Sequence, residues 1–212
     1  LTAEGRLPEV KAVLDQAVAS GVLGAKGLYV LHAAAGLGLD EQAAAVIAEL
    51  EGDYRTIGAG RLWYHGIWLA HVGDVARLRE VKNALSELAD SSNSRFMRST
   101  SRSIAGRLAL LQADTASAIA HFSAVVPVEK GAEIDWGMQE PFGQEQLMLA
   151  ELLLARGQAT EALQVAGRLD YPRPIIYLIY LRQSLELRGK AAMGLGDTRS
   201  AEGYLARLER LR

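Results

Sequence analysis

The chain has 212 residues, half of them hydrophobic, with 23 basic and 25 acidic side chains for a formal net charge of −2. That length supplies one large domain or two small ones with a substantial core, and the near-neutral charge argues against a general affinity for nucleic acid or anionic lipid. The absence of cysteine excludes disulfides, thiolate chemistry and cysteine-ligated zinc or iron–sulfur centres; it leaves the compartment open, with a cytoplasmic location favoured.

No uncharged apolar run reaches the ~18 residues of a membrane span. The most apolar stretch, Ile175 to Leu181, is bracketed by Arg173 and Arg182. Helical spacing begins in segment 5–19, where Pro8 suits an opening turn and Val10, Val13, Leu14 and Ala17 share a face. Helix pairs are then expected at 25–36 with 40–51, 59–72 with 74–89, 96–112 with 114–126, 143–156 with 158–169, and 175–195 with 197–211. The first segment reads as a second helix lacking its partner, which leads us to expect a piece of a longer chain. Asp90 to Ser94 is a serine-rich turn, and 127–143 is an irregular insertion broken by Pro127, Gly131, Gly137, Pro141 and Gly143.

The pairs share a register. Small residues end each first helix at Gly38, Gly73, Ala113, Gly157 and Gly196, spaced by 35, 40, 44 and 39 residues. Five positions later come Ala43, Leu78, Ala118, Ala162 and Ala201, and twelve later Leu50, Leu85, Val125, Leu169 and Leu208. Seven positions before each anchor stand Leu31, Gly66, Gly106, Ala150 and Gly189. Small residues on both helices allow close backbone approach. A left-handed residue at Gly196 ends its helix without steric cost, and Asp40, Asp74, Asp114 and Asp197 are placed to cap the helices that follow.

With its small and large residues at fixed offsets, this helix–turn–helix unit resembles the tetratricopeptide repeat (TPR), although its spacings exceed the ~34 residues of that family. The best matches run from Leu149-Ala150 through Gly157, Ala162 and Leu169, with Pro174 closing the unit, and from Gly189 through Gly196, Ala201 and Leu208. The resemblance covers nearly the whole chain and implies an all-α fold: an α-α superhelix of about five antiparallel pairs plus an N-terminal half unit, forming a single domain over 1–212. It also implies a non-catalytic scaffold with no cofactor and no metal, appended to a larger bacterial regulatory or signalling protein and holding a protein or peptide segment on the face of its first helices. By offset, that face carries Tyr29, His32, Trp63, Tyr64, Ile67, His71, Ser103, Ile104, Arg107, Gln144, Met148, Glu151, Gln183, Glu186 and Lys190. The lysine and asparagine pairs with which some members clamp a terminal carboxylate are not found.

Other readings remain open. Self-association through the terminal repeats would make a homodimer, with Tyr177, Tyr180 or segment 6–19 at its interface. The run Arg61 to His71 holds two tryptophans, a tyrosine and two histidines on one helix; it either forms an aromatic anchor, or the site of a small-ligand sensor or an α-helical enzyme, or fills the gap between repeats. His65 and His71 are six apart and face different ways, which disfavours a metal pair. Arg95, Arg98 and Arg102 share a helical face that is either an anion patch or ordinary solvated surface. Trp136 in the insertion is either an exposed anchor or a pin for its own loop. Gly36-Leu37-Gly38 and Gly58-Ala59-Gly60 lack the third glycine and preceding strand of a nucleotide loop, and no nucleophile elbow, zincin motif or calcium loop occurs.

Overall fold

The tight turns and 3.6-residue periodicity produce helices throughout the described residues. The computed structural model describes residues 1–22, 24–49, 57–125, 142–170 and 175–211, and among them there is no strand. The helices are α1 (Leu7–Ala19), α2 (Ala25–Ala34), α3 (Asp40–Ala48), α4 (Ala59–Val72), α5 (Val75–Asp90), α6 (Arg95–Leu111), α7 (Thr115–Ser123), α8 (Gly143–Ala155), α9 (Ala159–Gly167), α10 (Leu181–Gly194) and α11 (Thr198–Glu209). Short 3-10 turns cover Arg168–Asp170 and Ile175–Ile179. The last first helix therefore starts at Leu181, not at 175. No described helix is long and apolar enough to cross a membrane.

The contacts group into two units, residues 11–139 and residues 1–10 with 140–212. In the first unit α2 packs on α3, α4 on α5 and α6 on α7, and the first helices also touch in succession, α2 on α4 and α4 on α6. In the second unit α8 packs on α9 and α10 on α11, while α10 also lies against both α8 and α9.

The turns show why the pairs form. Gly196 has φ 75°, the Asp197 amide donates back to the Ala192 carbonyl at 3.0 Å and the Gly196 amide to Met193 at 3.0 Å, so a left-handed residue closes the helix end and satisfies its last carbonyls. Asp197 then accepts from the Ser200 amide at 3.0 Å, as Asp114 does from Ser117 at 3.0 Å and Asp74 from Arg77 at 3.1 Å. Ala113 holds the same left-handed position at φ 59°, against the preference of any residue with a Cβ.

The first pair departs from this register. Its first helix is closed by Gly36, where the Leu37 amide donates to the His32 carbonyl at 2.9 Å, so Leu37 and Gly38 are two extra turn residues. The capping position falls on Leu39, and Asp40 opens α3 from inside. Asp40 is thus not the cap its spacing predicts; it accepts instead from His71 Nε2 at 2.8 Å.

Close approach is real where a glycine faces a large side chain. A Cβ on Gly106 would stand 2.5 Å from the Phe122 ring, one on Gly66 would stand 2.7 Å from Ile104, and one on Gly27 would overlap the Tyr64 ring. The residues at the predicted plus-five positions Ala43, Leu78, Ala118, Ala162 and Ala201 are all buried, as are Leu85, Val125, Leu169 and Leu208 at plus twelve. Leu50 lies outside the described residues, as do the insertion through Pro141, with Trp136, and Pro174.

Candidate functional site

The expected first-helix face divides into an enclosed half and an open half. In unit 11–139, Trp63 is 1% exposed and its indole Nε1 donates to Ser103 Oγ at 2.8 Å. Both residues lie ten positions before their anchors, so this hydrogen bond ties equivalent sites on α4 and α6. Ile67, Ile104, Ser103 and Arg107 are buried with them. Tyr64 is half-buried, its ring centroid 5.2 Å from that of Trp63 and its edge seated over Gly27. The aromatic run therefore packs one first helix against the next. Trp63, Ile67, Ser103 and Arg107, expected on the binding face, are buried, so that little of each side chain reaches solvent.

Tyr29 and His32 on α2 are also buried. The Tyr29 hydroxyl donates to Asp15 at 2.6 Å; burial, then that hydrogen bond, push its phenol up to about 12. His32 donates from Nδ1 to the Leu28 carbonyl one turn back at 2.7 Å, and burial lowers its pKa from 6.5. His65 is fully buried, whereas His71 is exposed at the end of α4, bonded to Asp40 and 5.5 Å from the Trp68 ring. The histidines that could have defined a ligand or catalytic centre are not gathered on one solvent-facing surface. Arg102 donates to the Ala124 carbonyl at 2.7 Å and so closes the end of α7.

Unit 1–10 with 140–212 holds the open half. Glu151 on α8 and Gln183, Glu186 and Lys190 on α10 line one groove of about 350 Å³, with Leu154 and Leu187 among its apolar walls. These four polar residues were all expected on the binding face. Glu151 and Lys190 stand six positions before their respective anchors, so the repeat register alone makes them neighbours. Lys190 donates to Glu186 one turn away at 2.9 Å. The Glu151 carboxyl is raised above the usual range, chiefly because the groove walls strip its hydration; Lys190 opposes that shift and Glu186 adds to it. Gln144, thirteen before its anchor like Gln183, is buried near the start of α8, while Met148 is half-buried.

A further polar cluster in this unit escaped the sequence reading. Asp170 accepts from Arg207 Nη1 at 2.6 Å and from Arg188 Nη1 at 3.1 Å, while the Arg188 guanidinium lies 4.6 Å from the centroid of the Tyr204 ring. The hydrogen bond from Arg207 is the largest influence holding the Asp170 carboxyl below its ordinary value. The cluster joins the 3-10 turn after α9 to α10 and α11; arginines at i and i+19 on different helices carry no periodic signal that would pair them. Tyr177 and Tyr180, which the self-association reading places at a dimer interface, are buried within the chain against Gly143, and Gln146 donates to the Tyr177 hydroxyl at 3.2 Å.

No protein-family model matches the chain, and no curated protein or solved structure is significantly similar to it. What the fold and groove define is a class: an all-helical protein of packed helix pairs with a small, mixed polar and apolar groove between two first helices.

Proposed function

We propose that this chain is a TPR-like interaction scaffold, whose helix pairs hold a rigid surface for a protein segment and perform no chemistry of their own. The observation that carries the reading is the α8–α10 groove: four residues picked out by repeat offset, Glu151, Gln183, Glu186 and Lys190, line a single concave surface. A helix-lined groove with apolar walls and a few polar groups suits a partner segment that lays side chains between two helices. The succession of first helices in each unit supports the repeat reading.

The test is partner capture from a lysate of the source organism on the immobilised chain, beside an Ala155→Trp variant. Ala155 is exposed and lines the groove, so an indole there fills the space without disturbing the core. A protein retained by the wild type and lost from the variant is the expected result. Equal retention by both would move binding away from this groove, and retention by neither would remove support for a scaffold.

A further inference from the structure

Resting on the scaffold reading, we infer that the α8–α10 groove selects a partner segment that presents a lysine or arginine, whose apolar stem lies along Leu154 and Leu187 and whose cationic head meets Glu151. Three charged side chains line the groove: the carboxylates of Glu151 and Glu186 and the ammonium of Lys190. Lys190 is already engaged with Glu186 at 2.9 Å across one helical turn, an arrangement favoured by the i, i+4 spacing. That leaves the Glu151 carboxylate as the surplus charge. Its position costs it hydration, and Lys190 is the one described cation that acts on it.

A carboxylate held at the edge of an apolar groove gains most from a cation that brings its own apolar stem, because the stem covers carbon while the head restores a charge-assisted hydrogen bond. An acidic segment would set like charge against Glu151 and Glu186 and would have to displace Lys190 from its partner. An uncharged apolar segment would leave Glu151 facing it without compensation. The groove therefore discriminates by repulsion as well as attraction, which is how a small surface becomes selective.

The experiment is a selection of displayed random 12-residue peptides on the full chain, followed by fluorescence-anisotropy titration of the enriched peptides. The expected result is enrichment of a lysine or arginine next to an aliphatic residue, with binding about tenfold weaker to Glu151→Gln and restored in part when Glu151→Lys is paired with a peptide whose basic residue is replaced by glutamate. Circular dichroism and thermal unfolding identical to wild type establish that the variants are folded; both changes are at an exposed position. Enriched peptides with no basic preference, or with binding indifferent to Glu151→Gln but abolished by Ala155→Trp, would overturn this inference and leave the scaffold reading standing. Displacement of the peptides by spermidine as readily as by unlabelled peptide would also overturn it, assigning the groove to free amines. If no peptide is enriched, both the inference and the scaffold reading lose their support.

Discussion

At Ala113 a methyl group sits where four glycines stand in the other repeats, with φ 59° in the left-handed region. The backbone there is strained by roughly 1–2 kcal/mol relative to a right-handed residue. Ala113→Gly should relieve that strain, less the extra entropy of an unfolded glycine, for a net stabilisation of about 0.5–1 kcal/mol measured by urea unfolding; a destabilised variant would show that the turn is not left-handed. Trp63 makes the opposite case. Trp63→Ala removes a fully packed ring and its bond to Ser103, and should cost about 3–5 kcal/mol in the same assay. That loss is large enough to unfold a marginal chain, so Trp63 is unsuitable as a probe of binding. His32 supplies a pH signature. Its folded pKa lies below 6.5 because burial disfavours imidazolium, so the unfolded chain binds more protons in the window beneath that value. Its contribution is fully present above about pH 6.5 and declines as pH falls toward the folded pKa. His32→Gln should therefore flatten the fall in melting temperature between pH 7.5 and 5.5, though not abolish it, because burial also lowers the pKa of His121. An unchanged slope would contradict the buried, neutral assignment.

At the scale of the element, helix spacing rests on small residues meeting large ones. Phe122 is 2% exposed and its ring touches Gly106, so it has little room to yield. Gly106→Ala should push α6 and α7 apart and destabilise by about 1–3 kcal/mol, whereas Gly60→Ala, with nothing near its Cβ direction, should be neutral or stabilising through helix propensity. Equal effects at the two sites would sink the close-approach account. Much of this layer was legible in the sequence. Glycine or alanine at fixed offsets located the pairs, and three aspartates cap where the spacing placed them. The missed details have local causes. Leu37 and Gly38 lengthen one turn without disturbing the helix that follows, so counting from Gly38 kept Ala43 in register but misplaced the end of α2. The 3-10 turn at Ile175–Ile179 is as apolar as a helix start, and periodicity does not separate the two. The Asp170–Arg188–Arg207 cluster depends on contacts between elements distant in sequence, which no offset encodes.

For the whole molecule, the expected binding face was partly legible because offset from a turn predicts which residues share a side of a helix. It does not predict whether that side is covered. In residues 11–139 Tyr29, His32, Trp63, Ile67, Ser103 and Arg107 are buried, Tyr64 is half-buried and His71 is exposed; the Trp63 and Tyr64 rings fill space between first helices. In residues 140–212 the corresponding face carries Gln144, Met148, Glu151, Gln183, Glu186 and Lys190; Gln144 is buried, and the groove stays open at Glu151, Glu186 and Lys190. Function on this account resides in the second set. The most direct measurement is hydrogen–deuterium exchange of the full chain with and without a captured partner or selected peptide. The account predicts slowed exchange concentrated in segments 151–155 and 183–190, with the α4 segment 59–72 unchanged. Protection of 59–72 with no change at the α8–α10 groove would contradict it.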